Sequence, residues 1–152
     1  MTPAEALSQA IHATGWLLPA AGIAHLWSIL LVAGAAVLFD LRVLGLTQAA
    51  PVRAVARQLL PWSLVGVVVA VPAGLTLVAG RPEEVLAHPA FVAKMALLSL
   101  IALNALVFHL GPASAALAPD ARSVPTLARF QALVSLSLWL AVLACARAVG
   151  HA

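Results

Sequence analysis

The side chains able to do chemistry in this sequence are few and widely spaced. His25, Lys94, Asn104 and His109 fall within long apolar runs, and Asp40, Arg42, His88, Arg129 and Arg147 stand near the ends of such runs. His25 is bracketed by Gly22-Ile-Ala and Leu-Trp27. An ionisable group left unpaired in such surroundings costs on the order of 2.5–3.5 kcal/mol or more when the medium is hydrocarbon. Its imidazole therefore needs a partner, and two are chemically natural: a haem iron, for which histidine is a common axial ligand, or a hydrogen-bonding group on a neighbouring helix.

A haem held by two histidines needs both at one depth on facing helices. His88 matches His25 in depth, whereas His109 is the one placed inside a helix, and the spacing leaves the choice open. Lys94, in Phe91-Val-Ala-Lys94-Met95, can snorkel to the interface or neutralise an anion such as a haem propionate or a substrate carboxylate. Lys94 and His109 are fifteen residues apart, which leaves them about 60° apart around a helix and close to one face. The expected cofactor-binding set is thus His25, His88, His109 and Lys94, with His25 and His109 as the candidate metal ligands. His12 and His151 are read as exposed or terminal. Asp40 and Arg42 read as a locally ion-paired helix end, Arg53 and Arg57 as one basic face in contact with phospholipid, and Cys145 as a small packing residue. A single cysteine excludes an intramolecular disulfide. There is no paired-carboxylate constellation, no nucleophilic Ser or Cys beside a base and no Gly-rich phosphate loop, so nothing points to hydrolytic chemistry.

The elements that must position these groups follow from composition. Of 152 residues, 64% are hydrophobic and 9% charged, and the mean hydropathy is +1.08. Soluble domains average about 45–50% apolar and about 25% charged residues, so lipid must surround most of this chain. Crossing about 30 Å of hydrocarbon takes about 20 helical residues, and four runs suffice: 19–41, 59–80, 89–109 and 125–149. Prolines near the starts and Gly or Pro just past the ends match helix-terminus preferences. Pro72, in Val71-Pro72-Ala73-Gly74, predicts a kink in the second span, with Gly74 making room for something bulky. Thr2-Pro3-Ala4-Glu5 reads as a capping box opening a short amphipathic helix over 3–16 that lies on the membrane. Residues 1–15 hold no Lys or Arg, unlike a secretory signal. The fold class is therefore all-α: one transmembrane domain, an integral membrane four-helix bundle with a short N-terminal amphipathic helix, in which short loops predict that sequential spans are antiparallel neighbours.

The loops after the first and third spans carry Arg42, Arg53, Arg57, Arg122 and Arg129 against Asp40 and Asp120, whereas on the other side Arg81, Lys94 and Arg147 balance Glu5, Glu83 and Glu84. The positive-inside rule puts the arginine-rich side in the cytoplasm and both termini in the periplasm of a bacterial inner membrane. The net charge of +3 is accounted for by topology and lipid contact, with no nucleic-acid partner.

Several segments together carry a resemblance: His25; Asp40-Leu-Arg42-Val-Leu-Gly45; Arg57-Gln-Leu-Leu-Pro-Trp62; Pro72-Ala-Gly74-Leu-Thr76; Pro89-Ala-Phe-Val-Ala-Lys94-Met95; and Asn104 to His109. Over most of residues 20–148 the chain resembles a family of small uncharacterised bacterial four-helix membrane proteins, and more distantly it is similar to the CopD and HemJ group. The HemJ resemblance implies a b-type haem and a helix 1 histidine and helix 3 lysine that match His25 and Lys94; the CopD resemblance implies copper uptake. The sequence departs from HemJ in having no Tyr. The leading expectation is an inner-membrane b-type haem protein in electron transfer, with quinone or a larger redox complex as partner. The alternatives are copper or small-solute transport, for which the soft donors are only Cys145, Met1 and Met95, and a non-catalytic or homo-oligomeric membrane scaffold.

Overall fold

A computed structural model describes residues 2–47, 50–119, 121 and 123–149. The described residues are mostly helical, with no strand: α1 (Pro3–Ala13), α2 (Leu17–Leu44), α3 (Val52–Gly80), α4 (Pro82–Ala87), α5 (Pro89–Leu110), a 3-10 helix over Pro112–Leu117, and α6 (Thr126–Val149). Four of these, α2, α3, α5 and α6, are long and apolar enough to cross a membrane. The chain is a multi-pass membrane protein.

The helix ends follow local chemistry. At α1 the Thr2 hydroxyl accepts the Glu5 N–H at 3.2 Å, and the Glu5 carboxylate accepts the Thr2 N–H at 2.7 Å, which is the expected capping box. The helix ends at Ala13, and its residues Ser8 and His12 both donate to the Gly80 carbonyl, each at 2.9 Å. Two side chains of α1 thus satisfy a carbonyl that the end of α3 leaves without a helical partner. α2 closes at Gly45, whose φ of 86° lies in the left-handed region, with the Leu46 N–H returning to the Leu41 carbonyl at 3.0 Å. α3 starts at Val52, well before the expected residue 59. Arg53, Ala54, Ala56, Arg57 and Gln58 are strong helix formers, so the helix extends past the point where its apolar run begins.

Packing is inverted relative to a soluble bundle. Large side chains such as Trp27 (69% exposed), Val68 (71%) and Leu140 (68%) face outward. The buried residues of α2 and α3 include Ala21, Ser28, Ala35, Gly66 and Ala73. Small residues let backbones approach where lipid offers no hydrophobic force between helices. A Cβ built on Gly66 would lie 2.6 Å from Val32 Cγ2 and 3.0 Å from the Ser28 carbonyl oxygen. At the arginine-rich end, Val43, Val52, Phe108, Ala113, Ala116, Ala128 and Ala132 form a cluster, with Phe39 meeting Phe108 edge-to-face at a centroid distance of 5.4 Å.

One expectation about neighbours is corrected. α2 pairs with α3, α5 pairs with α6, and α2 joins the two hairpins by packing on α6, but the successive spans α3 and α5 do not pack along each other. The segment joining them is the six-residue α4, which contacts both. Because the two hairpins meet through α2 and α6, α3 and α5 are left without a shared seam.

The close approach at Gly66 makes a sharp test. Gly66→Ala should destabilise the detergent-solubilised protein by about 1–3 kcal/mol, the usual cost of overpacking. Gly34→Ala, where no atom lies within 4 Å of the new Cβ, should be neutral or stabilising by up to about 1 kcal/mol from helix propensity. Denaturant titration of both variants followed by circular dichroism measures the difference.

Candidate functional site

The separation of α3 from α5 opens a crevice of about 890 Å³, lined by residues of α2, α3, α4, α5 and α6. This lies within the range of about 300–1,000 Å³ usual for ligand sites. Leu, Val, Ala and Phe dominate its walls, and the polar groups among them include His25, Lys94, Asp40, Asn104, Gln131, Ser135 and Trp139.

His25 projects from α2 onto α3. Its Nδ1 lies 2.9 Å from the Ala70 carbonyl oxygen. A carbonyl only accepts, so Nδ1 carries the hydrogen and Nε2 is left with a free lone pair. The ring lies against Gly74: a Cβ there would be 2.9 Å from His25 Cε1 and 3.2 Å from Nδ1. The bulky group for which Gly74 makes room is thus the imidazole itself. Pro72, between Ala70 and Gly74, lies inside α3 and has no N–H to offer the Val68 carbonyl. Three residues beyond His25, the Ser28 hydroxyl donates back to the Ala24 carbonyl.

Lys94 and Met95 line the crevice from α5. Lys94 is half-buried. His109 also lines the crevice, as the sequence placed it on the Lys94 side of its helix. It is exposed at the arginine-rich end, however, with its ring edge-to-face on Phe108. His25 and His109 therefore stand toward opposite ends of one crevice and do not converge. His88 is the N-cap of α5, its Nδ1 accepting the Ala90 N–H at 3.2 Å, and it does not line the crevice. His12 is engaged with Gly80, and His151 and Met1 lie outside the described residues. Among the described residues no group of three or more His, Cys, Asp and Glu side chains is placed to hold a metal ion.

Asp40 departs from its expected role. It is buried and lines the crevice, with the Ser135 hydroxyl beside its carboxyl, while its Oδ2 has no hydrogen-bond partner. Arg42 instead donates its Nε–H to the Ala50 carbonyl. Among the described residues the one ion pair is Arg81–Glu84, at 3.9 Å and exposed. Asn104 ties α5 to α6 by donating Nδ2–H to the Gln131 carbonyl at 3.1 Å. The sequence reading passed over Gln131, Ser135 and Trp139, all of which line the crevice. Their i, i+4, i+8 spacing was the available signal, because residues four apart lie on nearly the same helical face.

The chain matches no family model, no curated protein and no solved structure. Its site is defined by its own geometry.

The seat of His25 can be tested by a double-mutant cycle. Gly74→Leu should destabilise by about 1–3 kcal/mol as the new side chain displaces the ring. In a His25→Ala background most of that cost should vanish, giving a coupling of about 1–2 kcal/mol. Equal costs in both backgrounds, read by thermal unfolding in detergent, would show that the ring is seated elsewhere.

Proposed function

We propose that this protein is a b-type haem protein of the bacterial inner membrane, acting in electron transfer or as a redox subunit. The observation that carries the reading is the His25 imidazole, anchored through Nδ1 to the Ala70 carbonyl and set in the wall of an apolar crevice. Metal-ligating histidines almost always donate their other ring N–H to a carbonyl, carboxylate or water, which fixes the tautomer and raises ligand basicity. A bare metal ion takes three or four protein ligands, and no such cluster is present among the described residues. A haem brings four ligands with its macrocycle, so a single histidine suffices on the protein side.

His25 Nε2 would hold the iron, Gly74 would keep the ring in its seat, and the Lys94 ammonium would face the propionates from α5. A bound haem supplies a one-electron ferric/ferrous couple. The chain contributes a low-dielectric enclosure, a fixed imidazole and a cation. His88 caps α5 and His109 stands at the other end of the crevice, so in this reading His25 alone would hold the iron. By the positive-inside rule the arginine-rich end faces the cytoplasm and both termini face the periplasm, which puts His25 in the periplasmic half and α1 at the periplasmic interface. The electron partner is a membrane quinone or a larger redox complex.

The test is a reduced-minus-oxidised absorption spectrum of the detergent-purified protein from haem-replete cells. The wild type should show a Soret band, His25→Ala should lose it by at least tenfold, and His88→Ala and His109→Ala should retain it. A colourless wild type, or an unchanged spectrum in His25→Ala, would refute the reading.

A further inference from the structure

A second cavity, of about 300 Å³, lies at the arginine-rich end, apart from the crevice that His25 lines. Three cationic side chains line it: Arg42 from the last turn of α2, and Arg53 and Arg57 from the start of α3. Arg53 and Arg57 are four residues apart and so share one face of their helix. Ser123 joins the lining from the segment that leads into α6. Val52 and Ala116, which also line the cavity, are buried members of the packed cluster at this end. The arginines therefore project from two helices that close packing fixes beneath them.

The surroundings of the guanidinia point to a ligand. Among the described residues no acidic side chain lines the cavity, and the one ion pair, Arg81–Glu84, stands at the opposite end of α3. Asp120 and Arg122, from the loop before α6, lie outside the described residues and together carry no net charge. Arg42 donates its Nε–H to the Ala50 carbonyl, which orients the side chain and leaves both Nη groups to other acceptors. Like charges repel, so three cations gathered around one small cavity favour the entry of an anion. A guanidinium fork matches pairs of oxygens on a carboxylate or a phosphate. Three forks converging from two helices exceed what the two oxygens of a carboxylate can occupy, and a phosphate has oxygens enough for them. The cavity also stands where two membrane spans end, level with lipid head groups, and basic pockets between spans on the cytoplasmic side are suited to phosphate head groups.

We infer that Arg42, Arg53 and Arg57 form a binding site for a phosphate group, presented either by an anionic phospholipid or by a soluble phosphate. Arg42, half-buried and held by Ala50, is the fixed contact, and the exposed Arg53 and Arg57 supply the others from α3. A basic face on α3 alone would give diffuse contact with lipid. Arg42 and the segment before α6 enclose that face and make it a discrete site. The site is independent of His25 and of the haem reading.

The experiment titrates the full chain in dodecyl maltoside calorimetrically with dioctanoyl phosphatidic acid, dioctanoyl phosphatidylcholine and inorganic phosphate. Phosphatidic acid should bind saturably at one per chain, about tenfold more tightly than phosphatidylcholine, whose choline masks the phosphate charge. Inorganic phosphate that binds and competes with phosphatidic acid identifies a soluble phosphate as a ligand, and binding of the lipid alone identifies the head group; both results uphold the site. Arg53→Gln and Arg57→Gln should each weaken phosphatidic acid about tenfold, as expected for one charge-assisted hydrogen bond. Both side chains are exposed, so these variants should keep the wild-type circular dichroism spectrum. Arg42→Lys, which keeps the charge and loses the fork, should also weaken binding. Arg129→Gln removes the same charge from the same end but outside the cavity, and it should leave the affinity unchanged, as should His25→Ala. Absence of saturable phosphatidic acid binding, equal binding of phosphatidylcholine, or an equal loss in Arg129→Gln and Arg53→Gln would each overturn the inference.

Discussion

Lipid supplies no hydrophobic force between helices, so the spans of this protein meet only where their side chains are small enough for backbones to touch or where a polar group reaches across. Gly66 faces Val32 and the Ser28 carbonyl at distances that leave no room for a methyl group. Gly80 is similarly confined by Leu18, within 2.8 Å of a built Cβ. These contacts zip α2 to α3 along most of their length, and the outward faces are left to Leu, Val and Trp. The arrangement of α2 against α3, and through it the position of His25, depends on this close approach.

The same constraint explains the crevice. Two helical hairpins joined through α2 and α6 leave α3 and α5 without a shared seam. The arginine-rich end is closed by the 3-10 helix and the Phe39–Phe108 pair. At the other end α4 bridges the helix termini, and α1 is hydrogen-bonded to Gly80. A gap closed at one end and bridged at the other is a natural place for a flat or elongated apolar molecule, because filling it recovers dispersion contacts that its walls otherwise lack.

Polar side chains are treated in two ways. Ser8, His12, His25, Ser28, Thr76, Ser99, Asn104 and Ser137 each engage a backbone carbonyl, the acceptor most available inside a helical bundle. Asp40, Gln131 and Trp139 each retain a sealed polar atom without a partner among the described residues. Of the carbonyl-bound groups, Ser8, His12, His25 and Asn104 tie one helix to another, whereas Ser28, Thr76, Ser99 and Ser137 return to their own helix.

Much of the architecture was legible in the chain itself. Apolar runs of span length, the Thr2–Glu5 capping box, Gly45 at a helix end and the prolines at helix starts are local signals, and the helices stand within a few residues of where those signals put them, except at the start of α3. His25 could be singled out because an imidazole amid apolar neighbours is conspicuous in one dimension. What it touches could not be read, since Ala70 and Gly74 are brought to it by the packing of α2 on α3. Nor could the separation of α3 from α5, the withdrawal of His88 into a helix cap, or the placing of Asp40 opposite Gln131, Ser135 and Trp139. Sequence determines which stretches can leave water and how each helix begins and ends, because those depend on hydrophobicity and backbone groups within a few residues. Which helices touch, and so which polar atoms find partners, depends on side-chain fit between segments tens of residues apart, and only the tertiary structure decides it.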